Sequence, residues 1–96
     1  MIVNFEIETK PEVYYSYYFL MEKFISKGSN TPYYVAVLGN DLISNIEEFS
    51  DEDPSECIKS IRQYFLDKDL VPINISVENI MEPFREFTKY LLDFGY

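Results

Sequence analysis

The 96-residue chain is long enough for one folded domain and too short for two. A hydrophobic fraction of 47% and a charged fraction of 26% are typical of globular proteins rather than disordered ones. We therefore expect a single domain, residues 1–96. Its net charge of −9 repels phosphate backbones, so we do not expect it to bind nucleic acid directly.

The first predicted element is a strand over residues 2–8, because Val3, Phe5 and Ile7 alternate with polar residues. A helix is predicted next, from a start at Thr9 to about Lys27. Its predicted apolar face repeats at helical spacing and consists of Val13, Tyr14, Tyr17, Leu20, Met21, Phe24 and Ile25. Gly28 is expected to end this helix.

The next segment, residues 33–38, is rich in strand formers and predicts a second strand. Gly39 and Asn40 suggest a hairpin turn, which would make residues 42–47 a partner strand. A helical face fits the spacing of Leu42, Ile43, Ile46 and Phe49 better, so a strand and a short helix both remain possible here.

A second helix is predicted from an N-cap at Asp53, with Pro54 in its first turn, to about Lys68. Residues 70–77 predict a strand that Pro72 confines to an edge of the sheet or to its own first position. Asn79 and Glu82 are expected to cap a last helix whose apolar stripe is Phe84, Phe87, Tyr90, Leu91 and Phe94.

Together these elements predict an α+β fold with two layers, in which three helices pack on a small, mostly antiparallel sheet. With the hairpin, the order corresponds to the split βαββαβ arrangement of ferredoxin-like folds, followed by a terminal helix. The second and fourth strands would then be the edges of the sheet, in agreement with Pro32 and Pro72.

Catalytic and metal-binding residues are scarce. The chain has no histidine, and its single cysteine, Cys57, lies on the apolar stripe of the second helix, where we expect it to be buried. The acidic residues lack the spacing of a calcium-binding loop, and the three glycines form no phosphate-binding loop. We therefore expect neither enzymatic activity nor a metal or other cofactor.

The same sequence predicts a cytoplasmic location. One cysteine cannot form an internal disulfide bond, and the N-terminus lacks the basic start and apolar stretch of a signal peptide. No apolar run is long enough to cross a membrane, so no membrane contact is expected.

The acidic residues are concentrated in residues 41–56, which contain no lysine or arginine. Concentrated like charge is useful for steering and holding a basic partner, although such segments are often only solvated loops. The predicted partner-binding acids are Glu47, Glu48, Asp51, Glu52, Asp53 and Glu56. Tyr15 and Phe19 fall among polar residues of the first predicted helix, and, if exposed, they would add an aromatic anchor.

The leading hypothesis is an inhibitor that blocks a basic protein, such as a nuclease, toxin or effector, by occupying its phosphate-binding surface. Immunity proteins, antitoxins and phage counter-defence proteins share this physical logic, because they are compact, anionic, non-catalytic and cytosolic. The alternative is a structural or adaptor protein that forms a homodimer through exposed aromatics or an open sheet edge. A third, weaker hypothesis is a small-ligand binder or enzyme with a tyrosine-lined pocket.

Overall fold

The computed structural model describes residues 1–25, 27–28, 30–85, 87 and 89. Five strands and one α-helix account for most of these residues. In chain order they are β1 (Ile2–Lys10), β2 (Val13–Ile25), β3 (Pro32–Asn40), β4 (Glu47–Asp51), α1 (Pro54–Lys68) and β5 (Pro72–Glu78). A short 3₁₀ helix, Glu82–Phe84, follows β5.

The five strands form one antiparallel sheet in the order β4-β3-β2-β1-β5. The first four strands are neighbours in sequence as well as in space. The chain then crosses one face of the sheet as α1 and returns as β5 beside β1. The two edges of the sheet are therefore the short strand β4 and the strand β5.

The core lies between α1 and the face of the sheet that it covers, which we call the helix side. Phe19, in the middle of β2, is at the centre of this core and contacts the rings of Phe5, Phe65 and Phe87. Most of the core is contributed by alternate residues of the strands and by one face of α1. Its members include Val3, Phe5, Ile7, Phe19, Met21, Tyr34, Ala36, Leu38, Phe49, Cys57, Ile58, Ile61, Phe65, Phe84 and Phe87.

The helix predicted from Asp53 to Lys68 is confirmed. Asp53 is the N-cap of α1, and its carboxylate accepts a hydrogen bond from the backbone N–H of Ser55 at 2.8 Å. The C-cap of the helix is Asp69, which adopts a left-handed conformation and donates its backbone N–H to carbonyl oxygens of the last turn.

The prediction of three helices on a small sheet is wrong, because the structure is mainly a five-stranded sheet with one α-helix. The predicted helix from Thr9 to Lys27 is instead the end of β1, a two-residue turn and the 13-residue strand β2. Pro11 and Glu12 form that turn, with Glu12 at a φ of 65°. A proline followed by a residue with positive φ is the pattern of a type II turn, not of a helix start.

The physical reason for the error lies in β2 itself. β2 carries large apolar side chains on both of its faces, so the alternation of apolar and polar residues that marks most strands is hidden. Its many tyrosine and phenylalanine residues favour a strand, and pairing with β1 and β3 on either side stabilises it.

The ferredoxin-like order is also wrong, since β3 is an interior strand and not an edge. Pro32 is tolerated there because it is the first residue of β3. The hairpin between residues 33–38 and the following strand exists, but its turn lies beyond Gly39 and Asn40, which still belong to β3. Residues 47–51 form the partner strand, and the connection at residues 41–46 contains neither predicted element.

The predicted edge position of β5 is confirmed, with Pro72 as its first residue. The predicted cap at Asn79 is wrong, because the N-cap of the 3₁₀ helix is Met81 and it makes no side-chain capping bond. Phe84 and Phe87 are fully buried, as their place on the predicted stripe requires. Tyr90, Leu91 and Phe94, the rest of that stripe, lie outside the described residues.

Candidate protein-binding face

The sheet has a second face, opposite α1, which we call the open face. Successive residues of a strand point to opposite faces, and residues paired across strands point to the same one. Because Val3, Phe5 and Phe19 lie on the helix side, their neighbours in β1 and β2 lie on the open face. Among the elements that the structure describes, α1 packs against β3 and β4, and the 3₁₀ helix packs against α1. Both are therefore on the helix side.

One row of side chains crosses the whole open face. It runs in the order Glu78, Ile2, Leu20, Val37, Glu48, from β5 at one edge to β4 at the other. Three apolar side chains thus occupy the centre of the row, and a glutamate stands at each end. Glu48 is one of the acids that the sequence singles out, whereas the other four residues of the row are not predicted site residues.

The neighbouring rows extend the apolar centre. Val35 pairs with Glu22, and the rings of Phe24 and Tyr33 stack with their centres 5.5 Å apart. Leu20 and Phe24 are 39% and 41% exposed, although both sit in a paired interior strand. Val35 is buried without belonging to the main core, because the side chains around it on the open face shelter it. A shallow cavity of about 140 Å³ lies among these side chains.

Every charged residue that the strand pairing places on the open face is acidic. These residues are Glu6, Glu8, Glu22, Glu48 and Glu78. Glu6 accepts a hydrogen bond from the Asn74 amide at 2.8 Å. Lys10 and Lys23 are paired with Val13 and Tyr34, which places both lysines on the helix side. The paired strands therefore give the open face an apolar centre and a purely negative charge.

The predicted acidic residues come together along β4 and the start of α1, and all six are exposed. Three of them have structural partners. Asp51 accepts a hydrogen bond from the Asp53 N–H at 2.9 Å, Asp53 caps α1, and Glu56 pairs with Lys59 at 3.0 Å.

The other three acids are Glu47, Glu48 and Glu52. Their side chains make no hydrogen bond or ion pair with any residue that the structure describes. Strand pairing places Glu48 on the open face and Glu47 on the helix side. The acidic segment thus lies along the edge of the sheet where the two faces meet. Only three of its six predicted acids are explained by helix capping, hydrogen bonding or ion pairing within the segment and α1.

The predicted aromatic anchor is not formed. Phe19 is completely buried at the centre of the core, so it has no surface to offer a partner. Tyr15 is 53% exposed, but it pairs with Ile7 on the helix side, away from the open face. The sequence predicted that both residues lie on one exposed helix face. In the strand that forms instead, Phe19 is buried and Tyr15 is exposed.

Cys57 is buried, as the sequence predicts, and its Sγ lies 3.6 Å from the carbonyl oxygen of Phe49. Burial, together with the nearby Asp51 carboxylate, raises the pKa of the thiol to about 11. The thiol is therefore protonated near neutral pH and is a poor nucleophile.

No group of three or more potential ligands that could hold a metal ion occurs among the described residues. In the same part of the chain, none of the helices is both long and apolar enough to span a membrane.

Sequence reasoning missed the apolar residues of the open face. Leu20 and Phe24 were assigned to the buried face of a helix, and Val35 and Val37 to a strand of unknown orientation. The period-two spacing of Leu20, Glu22 and Phe24 was the available signal, but it identifies a face only once the register with β1 and β3 is known.

Comparisons of the chain with protein-family models, with curated proteins and with solved structures found no match. The evidence for the candidate site is therefore its geometry and its charge alone.

Proposed function

We propose that this chain binds a basic protein through its open face and the adjoining acidic edge, and that it thereby blocks the partner's surface for nucleic acid. The observation that supports the proposal is the row Glu78, Ile2, Leu20, Val37, Glu48, an apolar centre with acids at both ends. This is the arrangement of a protein interface, in which an apolar centre is enclosed by a polar rim.

The apolar centre supports a protein partner. Partly exposed Leu20 and Phe24 lie beside Val35 and Val37 on a sheet face that no described element covers. Contiguous exposed apolar surface on a small protein commonly marks an interaction site. Aromatic and aliphatic side chains at the centre of such a surface provide most of the binding free energy once water is excluded.

The charge supports a basic partner. The five glutamates of the open face and the remaining acids of β4 together present a field of one sign, and such a field accelerates association with an oppositely charged surface. Proteins that handle nucleic acid carry basic surfaces of the required kind. A chain that covers such a surface competes with the phosphate backbone for it.

Self-association through the open face is disfavoured by the same charges. In a symmetric dimer the open face of one protomer would meet the open face of the other. Every contact between charged strand residues of the two protomers would then bring two acids together. We therefore expect a monomer in analytical ultracentrifugation at physiological salt. A dimer that persists at high salt and dissociates in the Leu20→Ser variant would instead support the structural or adaptor function.

The proposal is tested by capturing partners from a native lysate with three baits. The baits are the wild type, a face variant and a control variant with the same change in net charge. The face variant is Glu22→Gln/Glu48→Gln/Glu78→Gln, and the control is Glu12→Gln/Asp67→Asn/Glu82→Gln. The control residues are exposed and are not among those that the strand pairing places on the open face. We expect the wild type and the control to retain a basic protein that the face variant loses.

The captured protein is then purified and assayed for binding or cleavage of nucleic acid. We expect inhibition at a one-to-one ratio with wild type, relieved at high salt because exposed charges are screened. Equal capture by all three baits, or a partner whose activity on nucleic acid is unaffected, would contradict the proposal.

A further inference from the structure

A second cavity lies on the helix side of the sheet, between the strands and the C-terminal half of α1. Its volume is about 300 Å³, at the lower end of the range for small-molecule sites. Four aromatic residues, Phe5, Tyr17, Tyr64 and Phe65, form much of its wall. Phe5 stacks on Tyr17 with ring centres 5.8 Å apart and meets Phe65 edge to face at 5.9 Å.

One cationic group borders this apolar cavity. Lys68, in the last turn of α1, lines it with its Nζ 6.0 Å from the centre of the Tyr64 ring. Among the described residues, no carboxylate lies within ion-pair distance of this ammonium group. A lysine without a described carboxylate partner beside an apolar cavity is notable in a chain with 17 acidic and only 8 basic residues.

Tyr64 supplies a hydrogen-bond donor to the same region. Burial, the negative charge of Glu47 and the neighbouring Tyr17 raise the pKa of its phenol, so the hydroxyl keeps its proton at neutral pH. A protonated phenol on the cavity wall, together with the Lys68 ammonium group over the same ring, favours an anionic ligand. Lys68 is the one cation among the described residues that line the cavity, and its single charge matches a ligand with a single carboxylate.

We infer that this cavity binds a small aromatic monocarboxylate, with its ring against the partly exposed Tyr17 and Tyr64 and its carboxylate at Lys68. The aromatic walls fit a flat ring by stacking and edge contacts, which contribute more than apolar area alone. The carboxylate of the ligand complements the ammonium group of Lys68. This site is separate from the open face, because the sheet lies between them, so it does not depend on the proposed protein partner.

The inference is tested by NMR titration of the full chain with phenylbutyrate, and with phenylbutanol and phenylbutylamine as its neutral and cationic counterparts. We expect shifts confined to residues around the cavity, and an affinity for the carboxylate that is about tenfold higher than for the alcohol. No shifts at millimolar ligand, or equal affinity for all three compounds, would overturn the inference.

Two variants on the same helix show whether Lys68 provides the preference. Lys68→Gln removes the charge and keeps most of the stem, so it should abolish the preference for phenylbutyrate over phenylbutanol. Lys59→Gln is the control, because Lys59 is exposed, pairs with Glu56 and does not line the cavity. If both variants bind phenylbutyrate as the wild type does, or lose it equally, the assignment of Lys68 is wrong.

Discussion

At the level of single residues, Gly39 of β3 is constrained by Tyr18, the residue of β2 that it pairs with on the open face. A Cβ atom added to Gly39 would lie 2.6 Å from both Cζ and Oη of Tyr18, and 2.8 Å from the carbonyl oxygen of Ser44. The absence of a side chain at Gly39 thus lets the Tyr18 ring lie across β3. This requirement, and not a hairpin turn, explains the glycine.

We predict that Gly39→Ala lowers the free energy of unfolding by about 1–3 kcal/mol, the usual range for overpacking. Urea denaturation measures the change. In a Tyr18→Ala background the cost should fall, because the ring that the new methyl group meets is gone. An equal cost in both backgrounds would show that Tyr18 is not what excludes a side chain from Gly39.

The buried thiol of Cys57 makes the free energy of unfolding depend on pH in the alkaline range. The thiol pKa is raised from 9.0 to about 11 by burial, so the unfolded chain ionises first as the pH rises. The protonated thiol's contribution to the free energy of unfolding is fully present below pH 9 and is lost between pH 9 and about pH 11. The loss amounts to about 2–3 kcal/mol. We predict that the free energy of unfolding of the wild type falls more steeply in this window than that of Cys57→Ala. Parallel pH profiles would contradict the prediction.

At the scale of elements, α1 was predictable because its signals are local. Asp53 caps it, Pro54 fits its first turn, and Cys57, Ile58, Ile61 and Phe65 repeat at helical spacing. β5 was predictable for a similar reason, since Pro72 restricts where a strand can lie in a sheet.

We predict that Asp53→Ala destabilises the protein by about 1 kcal/mol, because the first turn of α1 loses the bond to the Ser55 N–H. Asp53→Asn should retain most of the stability, since its side-chain oxygen also caps a helix. Glu52→Ala is the matched control, as this exposed neighbour makes no such bond. Thermal or urea unfolding distinguishes them, and equal stability of Asp53→Ala and Glu52→Ala would refute the capping role.

β2 was not predictable from its own residues. Its apolar side chains serve the core on one face and the open face on the other, so the spacing matches a helix as well as a strand. Only pairing with β1 and β3 decides between them, and pairing is a long-range property. The error in β2 propagates to the site, because Phe19 was expected on a surface and Leu20 in a core.

At the scale of the whole molecule, the sheet divides two environments. The helix side holds the aromatic core and the cavity at Lys68, and the open face holds the apolar row enclosed by glutamates. The acidity of residues 41–56 was evident in the sequence. That this segment forms one edge of an apolar surface was not, because the sheet order brings β4 and β5 to the two ends of the same row.

In the proposed complex the partner contacts the open face and not only the acidic edge. The most direct test is methyl cross-saturation NMR on a complex of the deuterated, methyl-labelled chain with its captured basic partner. We predict signal loss at Ile2, Leu20 and Val37, and none at Leu66, which is exposed on α1. Signal loss at Leu66 with Leu20 and Val37 unaffected would show that the partner binds α1 and not the open face.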